Sequence, residues 1–403
     1  MRVRTRGFDY ILLGVSAFLL ILGILILNSS SASISQQNFG SPTHILFHQI
    51  KYGVFLGLLL GGMCFFLSIT VIRKWTPLGL LVILVLMGMA LLPKIGLSFG
   101  GASRWLNLGP ISFQPSEFLK IGFILYLAAW ISKREPRAKT YAKVSDTKMQ
   151  SKMQSKRRHL SLANKFWPGT LFDEGLNRLL VPFLIIIGLI SLLLIFQPDI
   201  GTLGIIALVA ILMYFTANTR IFHTVFLILA GVAGLIVLIG LAPYRLNRIF
   251  TFLKAELDPM GISYQINQAL IAIGSGGIWG RGLGMGIQKF GFLPHSISDS
   301  IFATFAEETG FIGSLFLITL FFIFAWQGFK ISRRSSDKFS QILALGITSW
   351  IVIQGFVNIG SIIGILPLTG IPLPFISYGG SHLIAELMGV GILLNISKHS
   401  TNN

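Results

Sequence analysis

Apolar residues come in long blocks along this chain. Runs of roughly 20 predominantly apolar residues, each long enough to cross a hydrocarbon layer, recur near 8–28, 48–72, 76–92, 116–132, 178–196, 200–217, 222–241, 300–325, 339–363 and 380–396. The pattern predicts an all-α polytopic membrane protein of about ten transmembrane helices, a single domain over residues 1–403. The polar intervals between the runs are unequal. Residues 133–177 are basic and partly repetitive (KMQSKMQSK) and read as a cytoplasmic loop lying against anionic lipid, with no chemistry assigned to it. The intervals 93–115, 242–299 and 364–379 hold most of the Gly, Pro and unusual polar residues, the composition of loops that carry function.

Composition agrees with this pattern. Charged residues make up 11% and hydrophobic residues 53% of the chain, against about 25% charged in a soluble domain. Met1–Gly7 is basic and the apolar stretch Tyr10–Leu27 follows it, too long for a signal peptide and without a small-residue cleavage site, so it is read as the first transmembrane helix. The net charge of +18 raises the question of nucleic acid. The distribution of the 32 Lys and Arg answers it. With the N-terminus in the cytoplasm, only Lys51, Lys94, Arg104, Lys120, Arg245, Arg248, Lys254, Arg281 and Lys289 fall on the outer side. That asymmetry is the positive-inside signal of a membrane protein with both termini in the cytoplasm, and it removes the motive for a nucleic-acid partner. The single cysteine, Cys64, permits neither an internal disulfide nor a Cys-based metal site.

Candidate chemistry gathers in the outer loops. In GASRWLNLGPISFQPSEFLK (101–120), Glu117 and Lys120 are three apart and share a helical face. Two readings stand open. One is an interfacial ion pair with Trp105 as a headgroup-level anchor. The other is a polar cavity wall, with Gln114 beside it and Arg104 facing an anionic substrate. In FQPDIGTL, Asp199 reads as a helix N-cap. The interval 242–299 opens with Arg245, Arg248 and Lys254, then Glu256 and Asp258, and places eight glycines between Gly274 and Gly291, with Arg281 and Lys289 among them. Glycine backbone beside cations suits a phosphate-bearing ligand, or simply tight packing, and no Walker A sequence is present. Asp299 is the only carboxylate between Asp258 and Glu307. It reads either as an N-cap competing with Ser298 or as a general base. Glu307 and Glu308 follow in the same helix and require internal partners, helix-end amides or basic groups. Pro367, Pro372 and Pro374 bar a regular helix from 364–379, which reads as a re-entrant cap over an outer cavity, with Ser377, Tyr378 and Ser381 leading into the last span and Glu386 facing the bundle. His295 reads as an isolated loop polar group. No HExxH, GxSxG or dinucleotide fingerprint occurs.

At these residues the chain resembles the SEDS family (shape, elongation, division and sporulation). GASRWLNLGPISFQPSEFLK, FQPDIGT, YQINQALIAIGSGG, GLGMGIQKFGFLP, DSIFATFAEETGFIG and LPLTGIPLPFISYGGS resemble family motifs in order and spacing over nearly the whole chain, and the third and fourth are similar to the division branch typified by FtsW. The resemblance implies a SEDS-type fold of ten spans and a peptidoglycan glycosyltransferase that polymerises lipid II into glycan strands on the outer face of the cytoplasmic membrane. It carries the catalytic role to Asp299, in LPHSISDSIFA. There the chain departs from the family pattern, with His295 for the usual Glu, Ser298 for Thr and Ser300 for Phe, and with His382 after the closing Gly-Ser. Candidate substrate-binding groups are Arg104, Trp105, Gln114, Glu117, Lys120, Arg245, Arg248, Arg281, Lys289, Ser377, Tyr378 and Ser381, with Asp199, Glu307 and Glu308 as structural polar groups. No organic cofactor is implied, and a divalent cation, Mg2+ or Mn2+, would help to stabilise the leaving pyrophosphate. Implied partners are lipid II, the nascent strand, membrane lipid, a class B penicillin-binding transpeptidase and other division proteins. The competing classes are a lipid II flippase, a general secondary transporter, for which no internal repeat is seen, and a scaffold for the transpeptidase.

Overall fold

The computed structural model describes residues 7–92, 95–99, 102–107, 112–134, 174–216, 221–240, 246 and 262–399. Arg245, Arg248, Lys94, Lys254, Glu256, Asp258 and most of the basic loop 133–177 lie outside the described residues.

The helices are α1 (Tyr10–Phe39), α2 (His44–His48), α3 (Leu56–Phe66), α4 (Ile69–Ala90), α5 (Pro115–Arg134), α6 (Glu174–Phe196), α7 (Ile200–Phe215), α8 (Ile221–Gly240), α9 (Ile262–Gly276), α10 (Ile301–Arg334), α11 (Lys338–Ile362) and α12 (Gly380–Lys398). A π-helical segment, Gln49–Phe55, joins α2 to α3 without a break. The expected spans overlap these helical stretches, except that the one placed at 48–72 runs across the break at Leu67 and Ser68 between α3 and α4. Seven of them are long and apolar enough to cross a membrane: Tyr10–Phe39, His44–Phe66, Ile69–Ala90, Ile221–Gly240, Ile301–Arg334, Lys338–Ile362 and Gly380–Lys398. Leu180–Phe196 and Ile200–Phe215 are shorter apolar helices. Large apolar side chains such as Leu25, Leu59, Leu81, Ile185, Phe222, Ile236 and Phe322 stand exposed around the bundle, as they must where the solvent is hydrocarbon. The chain is an integral membrane protein.

Two corrections to the pattern reading follow. Residues 262–276, taken as part of a long loop, form α9, which packs on α10. The all-α reading also missed a small antiparallel sheet, β1 (Gly96–Phe99), β2 (Ala102–Asn107) and β3 (Ser112–Phe113), in the order β1-β2-β3. Leu97 pairs with Trp105 and Leu106 with Phe113 across it. Strands this short leave too few positions for a period-two pattern to show against the surrounding Gly and Pro.

Local chemistry sets the helix ends. Asp9 caps α1, its carboxylate accepting from the Leu12 amide at 2.9 Å, and Gly40 closes the helix at φ 69°. Asp199 and Asp337 cap α7 and α11 in the same way. The core of the bundle is α11 and α12, almost wholly buried, surrounded by α3, α5, α7 and α10. The closest approaches fall at glycines. A Cβ on Gly391 of α12 would collide with the Gly61 carbonyl of α3, and one on Gly23, midway along α1, would collide with the Phe375 carbonyl. The second contact places Phe375 and Ile376 of the loop 364–379 beside the middle of α1. The start of α1 meets the end of α12 at the opposite, basic end, where the Asp9 amide donates to Ser397 Oγ at 3.0 Å.

Candidate active site

The loop end of the bundle is assembled from two segments, 277–300 and 364–379, strapped to each other and to α10 and α11. α10 is broken at Gly310 (φ 68°, ψ −164°), a conformation open to glycine. The break frees backbone groups, and the loop takes them up. The amides of Phe311 and Ile312 donate to the carbonyls of Gly277 and Ile278 at 2.9 and 3.2 Å. The amides of Arg281 and Gly282 donate to Glu307 and Glu308 carbonyls, each at 3.0 Å. Gly276, Gly280 and Gly286, where an added Cβ would meet α10, therefore serve close approach to a broken helix, one of the two readings left open for these glycines.

The paired carboxylates of α10 find the partners their position requires. Glu307 accepts from the amides of Ile287 at 2.9 Å and Gln288 at 3.2 Å, with Arg281 at 3.7 Å. Glu308 pairs with Lys289 at 2.6 Å and accepts from Ser29 of α1. Lys289, sought as a phosphate-binding cation, is instead buried in this pair. Arg281 keeps a third of its side chain exposed.

Above this base sits Asp299. Its side chain is half-buried and does not cap α10: the helix starts at Ile301, its N-cap residue is Ser300, and no side chain bonds the first amides. The capping role weighed for Asp299 and Ser298 is thus not taken by either. Asp299 Oδ1 accepts from Ser298 Oγ at 3.1 Å. On its other side lies Gly370 (φ 69°), where an added Cβ would sit 3.9 Å from Oδ2. The backbone behind the carboxylate is fixed from three directions. Asn358 Nδ2 of α11 donates to the carbonyls of Asp299 (2.8 Å) and Ile371 (2.7 Å), tying both loops to one carboxamide. Ser377 Oγ donates to the Ser298 carbonyl at 2.6 Å, and the Tyr378 amide to the Ile297 carbonyl at 2.8 Å. The Tyr378 hydroxyl is 3.2 Å from His48 Nδ1, and burial raises its pKa above the ordinary phenol value. The Gly379 amide donates to Gln49 Oε1, in the π-helical segment, at 3.0 Å.

Below the re-entrant loop runs a buried polar chain. Glu117 and Lys120 of α5 are 2.7 Å apart, Lys120 donates to Gln354 Oε1 at 2.8 Å, and Gln354 Nε2 lies 3.3 Å from Glu386 of α12. Glu386 accepts from the Phe375 amide at 2.8 Å, and Gln354 Nε2 donates to the Pro372 carbonyl at 3.1 Å. Glu117 and Lys120 do form the ion pair that one of the two readings expected, but it is buried, and it braces the underside of the loop. Arg104 donates to the carbonyls of Gln197 (2.9 Å) and Pro198, fastening β2 to the α6–α7 turn, where half-buried Trp105 neighbours it. A second string continues from there. Ser381 Oγ accepts from the Gln114 amide at 3.1 Å, Gln114 reaches Ser116 at 3.1 Å, and Ser116 donates to Asp199 at 3.1 Å. Sequence reasoning overlooked Asn358, Gln354, His48 and Gln49. The first two were detectable as polar residues four apart in an apolar span, hence on one helical face.

Comparison with known proteins agrees with this architecture. The family profile described as cell cycle protein, FTSW_RODA_SPOVE, matches residues 10–402. Stage V sporulation protein E of Bacillus subtilis is 35% identical over 402 residues, 99% of this chain and 100% of that protein. The probable peptidoglycan glycosyltransferase FtsW of Trichlorobacter lovleyi is 34% identical, covering 98% of this chain and 94% of its own. Sporulation and division relatives thus stand at nearly equal distance. A chain in the solved structure of a peptidoglycan synthase complex that coordinates polymerization and crosslinking superposes with a TM-score of 0.69 at 25% identity, over 97% of both chains. A profile spanning all but the first residues, relatives matched end to end and a shared bundle lead to one conclusion: the chain belongs to the FtsW/RodA/SpoVE family of cell cycle proteins.

Proposed function

We propose that the chain is a peptidoglycan glycosyltransferase that polymerises lipid II at the loop end of the bundle, with Asp299 as its catalytic base. The observation that carries the proposal is the state of that carboxylate. It is partly open to the loop end, held among the described residues by its neighbour Ser298, relieved of capping duty and fixed through its own carbonyl by Asn358. A carboxylate placed so can accept a proton from a sugar hydroxyl brought within hydrogen-bond reach.

In this reaction Asp299 takes the proton from the 4-hydroxyl of the N-acetylglucosamine of an incoming lipid II. The oxygen attacks the anomeric carbon of the growing strand, and the bond to undecaprenyl pyrophosphate breaks with inversion. The leaving group is already stable, so the remaining need is to balance its charge. Arg281, partly exposed on the same loop, supports that role. No three His, Cys, Asp or Glu residues converge among the described residues, so a divalent cation beside Asp299 would draw further ligands from water and substrate. That suits Mg2+, which retains waters and takes further ligands from substrate phosphates, where it would neutralise the pyrophosphate.

The loop end is taken as the outer face, because the basic interval 133–177 and both chain ends belong to the other. The membrane is then the cytoplasmic membrane, and a class B penicillin-binding transpeptidase is the crosslinking partner. The test is polymerisation of purified lipid II by the purified chain, alone and with that partner. Asp299→Asn should abolish strand formation while leaving expression and thermal unfolding unchanged. Full polymerisation by this variant would overturn the assignment, and lipid II transport that survives in it would favour a flippase.

A further inference from the structure

The basic end of the bundle, remote from Asp299, holds two adjoining cavities. The first, about 300 Å3, is a groove among α1, α3 and α12 whose walls include Leu13, Ala17, Leu20, Leu58, Leu387 and Leu394. Among the described residues that line it, the one polar side chain, Ser16, is turned back onto the Leu12 carbonyl at 2.8 Å. Gly61 and Gly391 hold the two helix backbones together on one side, while nothing lies within 4 Å of a Cβ added at Gly62, so the groove stays open there. The second cavity, about 410 Å3, lies between the start of α1 and the end of α10 and is lined by Lys330 and Arg334, with Asp9, Tyr10 and Ser397. Phe8 lines both cavities, its ring 5.6 Å from that of Phe65. Over Phe65 lies a third cation, Lys398, 3.2 Å from the ring centroid.

An apolar slot at membrane depth that runs into a cationic recess where the helices end has the outline of one amphiphile. We propose that this is a binding site for an anionic phospholipid of the leaflet at the basic end, with an acyl chain in the groove and the phosphate at Lys330 and Arg334. Charge complementarity selects the anionic class. Among the described residues the recess is lined by two cations and one carboxylate, and Asp9 already accepts from the Leu12 amide. The N-terminal end of α1 adds its positive dipole end on the same side. A lipid seated here touches α1, α10 and α12 together, joining the first helix to the last.

The site is tested on the purified full-length chain by native mass spectrometry, with phosphatidylglycerol and phosphatidylcholine of matched acyl chains. The wild type should keep one phosphatidylglycerol under conditions that strip phosphatidylcholine. K330Q/R334Q should weaken phosphatidylglycerol retention about tenfold, and the charge-preserving K330R/R334K should retain it. G62L, which fills the groove, should weaken retention of both lipids. Thermal unfolding of each variant checks that the bundle is intact. Equal retention of the two lipids, indifference to K330Q/R334Q, or preferential capture of undecaprenyl phosphate would overturn the proposal. So would a G62L variant that keeps its lipid but loses a single-span protein partner, since that outcome makes the groove a helix-docking face.

Discussion

Asn358 shows most directly how single side chains hold this site. One buried carboxamide donates to two backbone carbonyls, one behind Asp299 and one in the re-entrant loop. Replacing it by Leu leaves both acceptors without a donor, at about 1–3 kcal/mol for each buried group. Asn358→Leu should therefore lower the thermal midpoint and reduce the turnover of lipid II polymerisation more than it changes the apparent KM. An unchanged turnover would show that the Asp299 backbone needs no such anchor. Asp299 stood out as a candidate in the sequence because it is the only carboxylate between Asp258 and Glu307 and lies in a run that resembles a family motif. Asn358 was not, because a polar residue in an apolar run does not reveal its partners until the helices are packed.

The decisive feature among elements is the break in α10 and the loop laid into it. Two carboxylates at membrane depth are tolerated because Glu307 takes loop amides and Glu308 takes Lys289. Lys289→Met leaves Glu308 buried without its cation and should destabilise the chain by about 3–5 kcal/mol, whereas Lys289→Met with Glu308→Gln should recover much of that loss. A double-mutant cycle by thermal unfolding in detergent reads the difference, and additive losses would contradict the pairing. The need for such partners was visible in the adjacent glutamates. Which cation would answer was not, since Lys289 and Arg281 looked equally available on a glycine-rich loop. α9 and the small sheet escaped notice for a related reason: short elements at a membrane surface are punctuated by the same Gly, Pro and polar residues as loops.

For the molecule as a whole, hydropathy outlined the bundle well, because lipid permits few alternatives to closed helices, and charge asymmetry supplies the proposed polarity. The proposed polarity predicts that a cysteine placed at exposed Phe292 reacts with a membrane-impermeant thiol reagent in intact cells, while one placed at exposed Arg333 reacts only after permeabilisation. The reverse labelling would invert the topology and with it the site of polymerisation. Interhelical order was hidden from the sequence, above all the seating of residues near 375 against Gly23 of the first helix. That contact joins the start of the chain to a segment made hundreds of residues later. A nascent chain halted before the re-entrant segment emerges would already be threaded through the bilayer, yet the wall beside Asp299 would be missing, so the pocket around that carboxylate closes only after residues 364–379 have been made.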